Sequence, residues 1–303
     1  MLEGALVFLL LGRAAAASSP LDYDGKPPAK VEAREVKREA GRIEYEVKFA
    51  SPLKSPFPAN DVVWAHFSVP ASGAKVPCIL VLPVMAAPNI WIEERFIKRF
   101  EKDGFAVAWI EMPYQFHRRV HASEPSGQVF LARTAKRLAF NYRQSVLDAR
   151  RALAWLKTRP EVDSKRIGLF GVSLGAMVGA AVYSVDSAPK HAVFLLGGAN
   201  FPDLVVHSSM TEPFLRKSGI DPAELKTAWI GLDPLDYKDK NKGKTPLLIN
   251  ASWDTVVPKY NGLKLKEAFP DSRQMWVPLG HYTAILHLIW MPGYVSREFL
   301  KTL

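Results

Sequence analysis

The chain has 303 residues, of which 48% are hydrophobic and 23% charged, and its formal net charge is +10. That balance excludes a disordered chain and leaves room for one large α/β domain or two ordinary ones. Lysines and arginines are scattered among acidic residues and no nucleic-acid-binding motif is present, so the charge reads as a solvated basic surface and no nucleic-acid partner is expected.

Residues 5–12, ALVFLLLG, form a short apolar run followed by Arg13 and then AAAASSP. This is the layout of a secretory leader, here residues 1–17, with cleavage after Ala17. Glu3 and the lack of a basic residue before the run depart from that layout. The run is far short of the about 20 apolar residues that a membrane span requires. The expectation is a secreted or periplasmic protein with no integral span in the mature chain, a cytoplasmic one being the alternative. Residues 18–30, rich in proline and polar groups, read as a linker into a single domain over 31–303.

RIEYEVKFAS alternates with Ile43, Tyr45, Val47 and Phe49 on one side, the pattern of a half-buried strand, and residues 61–70 repeat it. Residues 76–84, VPCILVLPV, are nearly continuously apolar, as in a strand covered on both faces. They contain the one cysteine, Cys78, which reads as a small buried hydrophobe. Strand and helix then alternate. IWIEERFIKRFEKDG is an amphipathic helix, FAVAWIEMP a strand, and residues 133–160 a long helix that stops before Pro160. RIGLFGV is a strand running into the small-residue helix LGAMVGAAVYSV. HAVFLLGGA, TPLLINAS and SRQMWVPL supply three more strands, and a helix at 295–300 closes the chain. Repeated β-then-α units imply a mainly parallel sheet with helices on both faces. The order breaks at 202–245, where two helical patterns suggest a small cap insertion.

Gly171-Val172-Ser173-Leu174-Gly175 matches G-x-S-x-G, the nucleophile elbow. A strand turning directly into a helix brings backbone segments close, which is why the flanking glycines are needed. The turn lifts a hydroxyl clear of the sheet and sets helix N–H groups where an oxyanion would form. A serine needs a base, and the base an orienting acid. Asp254 follows the strand LLINAS and His281 follows QMWVPLG, so both fall at carboxyl ends of strands, where loops of an open α/β sheet converge. Asp233 and Asp236 precede their strand and are the competing acids. His287 reads as packed, and His66, His117, His121, His191 and His207 have no matching context.

With Ser173, Asp254 and His281 in that order, the sequence resembles the α/β-hydrolase superfamily. Residues 144–176 in particular resemble dienelactone-hydrolase-like and acetyl-xylan-esterase-like serine esterases. The resemblance implies an α/β-hydrolase fold with an eight-stranded sheet and hydrolysis of a carboxylic ester through an acyl-enzyme, with no cofactor or metal. The substrate would be a small-molecule or polymer-linked ester. It also implies two backbone oxyanion donors, Leu174 and a residue in the loop after the third strand. Many members carry His-Gly in that loop; this chain has LVLPVMAAPNIW, so the donor would be Met85 or a neighbour. Tyr114 and Arg118, or Arg119, follow a strand in EMPYQFHRR and are candidates for holding substrate, the arginine through a bidentate contact to a carboxylate. Met85, Trp91 and Met210 are candidates for an apolar pocket. A peptidase or acyltransferase on the same triad, and a binding protein that has kept the fold, are the alternatives.

Overall fold

The computed structural model describes residues 19–39 and 41–303; the expected leader lies outside the described residues. The centre is a nine-stranded sheet in the order β1-β2-β3-β5-β4-β6-β7-β8-β9. The first three strands, β1 (Val31–Glu39), β2 (Arg42–Ala50) and β3 (Val62–Pro70), form an antiparallel meander. β3 pairs antiparallel with β5 (Ala106–Ile110). From β5 onward every pairing is parallel, through β4 (Val76–Leu82), β6 (Val162–Val172), β7 (Pro189–Leu195), β8 (Leu247–Ala251) and β9 (Arg273–Val277).

The ninth strand is β1, which pattern reading had passed over. Its sequence, VEAREVKRE, has no apolar alternation because it lies at the sheet edge with both faces largely exposed. By contrast β8 is buried along its whole length, which is why it reads as an unbroken apolar run. Cys78 lies fully buried in β4, where desolvation pushes its thiol up.

Helices cover both faces. α1 (Trp91–Lys102) packs by one apolar stripe against α8 (Met291–Thr302) and the sheet. The other face carries α2 (Ala135–Leu156), α3 (Leu174–Val185) and α7 (Lys259–Ala268). Thr134 caps α2 by accepting the Arg137 N–H at 3.3 Å. α7 had no clear sequence signal: Gly262 interrupts it because any Cβ there would come within 2.9 Å of the Trp276 ring.

Residues 19–30 form no helix or strand but are anchored to the domain: Leu21 is buried and its carbonyl accepts from Arg150 at 2.5 Å. The expected cap region contains α4 (Phe201–His207), α5 (Glu212–Ser218) and α6 (Pro222–Ala228). The shortest parallel ladder is the β7–β8 seam, with three residue pairs against six for β6–β7 and five for β8–β9. Among the described residues no helix is long and apolar enough to cross a membrane.

Candidate active site

β6 runs to Val172, and α3 starts at Leu174, so Ser173 is the whole turn. Its backbone sits at φ 53°, ψ −115°, a conformation that costs about 1–3 kcal/mol for a residue with a side chain. The flanking glycines are sterically required. A Cβ on Gly171 would lie 2.3 Å from the Gly175 carbonyl oxygen, and one on Gly175 would lie 2.0 Å from that of Leu82. The Ser173 N–H donates to the Leu195 carbonyl at 2.8 Å, fastening the turn to the end of β7. Leu174 opens α3, so its N–H has no carbonyl to meet within the helix.

Asp254 follows β8 and His281 follows β9. Backbone bonds hold these two loops together: Ser252 N–H to Val277 O at 2.9 Å and Trp253 N–H to Leu279 O at 3.0 Å. Asp254 Oδ1 accepts the N–H groups of Val256 and Val257 at 2.8 and 2.7 Å, which leaves Oδ2 aimed at His281 Nδ1, 2.7 Å away. His281 Nε2 lies 3.0 Å from Ser173 Oγ. A carboxylate against Nδ1 fixes the proton there, so Nε2 carries the lone pair that faces the hydroxyl. Three loops from three strands thus make one hydrogen-bonded line.

The competing acids are engaged elsewhere. Asp233 caps the turn Pro234–Asn241, accepting Leu235 N–H at 3.0 Å and Phe201 N–H at 2.8 Å, while Asp236 accepts Gly231 and Asp233 N–H groups. His287 bonds the Pro278 carbonyl and the Trp290 indole. His66 and His117 share buried Glu111 and stack on Trp109 and Trp64, side chains of β5 and β3.

Tyr114 and Arg118 require correction as substrate-binding candidates. Both are buried, with 1% and 0% exposure, and neither lines the cavity beside Ser173. The Tyr114 hydroxyl donates to Asn141 Oδ1 at 3.0 Å. The Arg118 fork is filled by Asp148 Oδ2 and by the carbonyls of Asn60 and Glu111, at 2.7 to 2.9 Å, so no bidentate site remains for a substrate carboxylate. Arg119 holds the carbonyls of Phe116, Ala122 and Glu124. A strand's carboxyl end gives the direction of the following loop but not its depth, and this loop buries Met112, Tyr114, Gln115 and Arg118.

Beside Ser173 and His281 lies a cavity of about 410 Å³, with Met85 and Met210 in its walls; Trp91 is not a wall residue and is 43% exposed. Its other polar wall groups are Ser208, Thr211 and Tyr282. Thr211 Oγ1 already donates to Val205 O, and Ser208 Oγ accepts the Met210 N–H.

Two residues near this cavity escaped pattern reading. The Val84 N–H donates to Glu93 Oε1 at 2.9 Å, and the Val84 carbonyl accepts from Gln115 Nε2 at 2.6 Å. Both side chains are buried, and desolvation holds the Glu93 carboxyl above the usual carboxylate range. The next residues are Met85, whose N–H meets no acceptor among the described residues, and Ala86, held at φ 60° against Gly127. The available signal was a carboxylate on an apolar stripe: Glu93 shares a helix face with Phe96, Ile97 and Phe100. Among the described residues no group of three His, Cys, Asp or Glu side chains is placed to hold a metal.

No family model matches this sequence, and no curated protein is significantly similar to it. Solved structures are similar in fold. An acetyl xylan esterase from a Paenibacillus species superposes with a TM-score of 0.69 at 18% identity, covering 92% of this chain and 90% of that one. Acetyl xylan esterase 1 from a Thermoanaerobacterium species gives a TM-score of 0.63 at 15% identity, over 87% of each chain. A putative dipeptidyl aminopeptidase IV from Bacteroides ovatus gives 0.61 at 15% identity, covering 90% of this chain and 43% of that one. With the loops of Ser173, Asp254 and His281 at the carboxyl ends of a mainly parallel sheet, the chain has the α/β-hydrolase fold.

Proposed function

We propose that the chain is a serine hydrolase of carboxylic esters. The observation that carries this reading is the line from Ser173 Oγ through the His281 imidazole to Asp254, opening on an apolar cavity. Ser173 Oγ attacks the ester carbonyl carbon while its proton passes to His281 Nε2, and the carbonyl π pair moves to oxygen. Asp254 keeps the ring oriented and stabilises the imidazolium. The oxyanion is met by the N–H groups of Leu174 and Met85, the loss of one such donor costing about 3 kcal/mol. Collapse breaks the bond to the alcohol oxygen, which takes the proton from His281. Water then attacks the acyl-enzyme by the same route, releasing the acid and restoring Ser173.

In this reading Glu93 and Gln115 are positioning residues. They pin both ends of the Val84 peptide environment, so the Met85 N–H is held in place without a glycine. The structural neighbours include both esterases and a peptidase, so ester over peptide substrates rests on the cavity walls, which among the described residues carry no side chain of formal charge to seat a peptide terminus. Export belongs to the same proposal and rests on residues 1–17; cell fractionation with sequencing of the mature amino terminus tests it.

A fluorophosphonate probe is expected to label the wild type and to spare Ser173→Ala, whose turnover of aryl esters should fall about 10⁶-fold. Asp254→Asn should lower kcat about 10⁴-fold, and Asp233→Asn should instead lower the melting temperature with little change in turnover. An unlabelled, inactive wild type would favour the binding-protein alternative, and faster cleavage of peptide amides than of esters would favour a peptidase.

A further inference from the structure

The inner part of the cavity has a chemistry that selects among esters. Its deep walls come from Met177, Leu195, Phe201, Leu204 and Val257, all buried apolar residues on α3, β7, the cap helix α4 and the loop after Asp254. Of the two polar side chains there, Thr211 donates to the Val205 carbonyl and Ser208 accepts the Met210 N–H, and no cation or carboxylate faces inward among the described residues. A sugar ring or a charged acid placed in this space would lose its water and recover too few hydrogen bonds to replace it, a loss of affinity rather than a gain.

The two halves of an ester are distinguishable here. The leaving alcohol takes its proton from His281, and the His281 loop lies at the solvent rim, where Tyr282 is 69% and Leu286 62% exposed. The acyl group stays bonded to Ser173 through both steps and has the buried side of the cavity to occupy. At ~30 Å³ for a group the size of water, about 410 Å³ holds roughly a dozen such groups as an upper bound. An acetyl group would leave most of that space unfilled.

We infer that this cavity seats an apolar acyl chain of about six to ten carbons, so that the substrates are esters of medium-chain or comparably bulky apolar acids rather than acetate esters. The inference rests on the serine-hydrolase reading above. Each added methylene that is buried should raise kcat/KM about fourfold until the space is full.

The test is a series of p-nitrophenyl esters from acetate to palmitate, each below its solubility limit, run on full-length protein beside an acetylated xylo-oligosaccharide. The expected profile rises at least a hundredfold from acetate to octanoate and falls again by palmitate. Met210→Trp, which narrows the cavity from the cap side, should lower the octanoate-to-acetate ratio at least tenfold and shift the optimum to shorter acids. Enzyme that is labelled by the fluorophosphonate but prefers acetate or the acetylated oligosaccharide overturns this inference alone. A chain-length profile unchanged in Met210→Trp also overturns it. Protein that is neither labelled nor active on any ester overturns the hydrolase reading together with it.

Discussion

Two turns flank the reactive oxygen, and they solve one problem by opposite means. The turn after β6 is shaped by omission: Gly171 and Gly175 supply no Cβ, and the backbone closes on itself and on Leu82. The turn after β4 has no glycine. Its shape is imposed by two buried side chains from other elements, Glu93 and Gln115, which grip the N–H and carbonyl of Val84. Each turn contributes one residue, Leu174 or Met85, to the cavity wall, and in the proposed reaction its N–H is an oxyanion donor. The difference teaches that a donor can be positioned by backbone permissiveness or by side-chain restraint, and only the first writes itself into a local motif.

The comparison breaks most severely at Gly175. Gly175→Ala places a methyl group 2.0 Å from the Leu82 carbonyl oxygen, which no rotamer can relieve, so the first turn of α3 must move off the end of β4. A loss of at least about 3 kcal/mol in urea unfolding is expected, with probe labelling falling alongside. Retained stability and labelling would mean that α3 sits more loosely on the end of β4 than this close approach implies.

A smaller and more selective effect is expected at the other turn. Gln115→Glu keeps the side chain's size but replaces the donating amide, and Glu93→Leu removes the acceptor. Each should lower kcat about 10- to 100-fold with KM unchanged, because a displaced oxyanion donor acts on the transition state and not on the bound ester. Affinity for a boronic acid analogue should weaken in parallel. Glu93→Gln keeps an oxygen for the Val84 N–H and should restore most of the activity; equal loss in Glu93→Gln and Glu93→Leu would remove the positioning role.

The smallest effect is on stability and depends on pH. Burial raises the Glu93 carboxyl above its ordinary value of 4.5, so the folded state binds a proton that the unfolded state has released. Stability contributed by this site is therefore present at or below pH 4.5 and falls as pH rises through the raised value. Glu93→Gln should unfold at a higher temperature than wild type at pH 8 and at the same temperature at pH 4.

The sequence made the elbow, the acid loop and the histidine loop legible because each depends on residues adjacent in the chain. The parallel strands were legible for a related reason: burial on both faces leaves an unbroken apolar run, as in β8. β1 was not, since a charged edge strand carries no alternation to detect. The restraint on Val84 was hidden because its partners lie 9 and 31 residues away. Arg118 misled for the same cause, its partners Asn60 and Asp148 being distant in sequence and invisible to any local pattern.

The short β7–β8 seam runs between the two parts of the candidate site. The nucleophile and its anchor at Leu195 ride on one side, and the paired loops of Asp254 and His281 ride on the other. Of the two contacts in the line, the one from His281 Nδ1 to Asp254 Oδ2 lies wholly on the second side, and only the 3.0 Å contact from His281 Nε2 to Ser173 Oγ spans the seam. In the proposed reaction, any shift of one side against the other would therefore act on the distance of proton transfer and spare the acid–base pair.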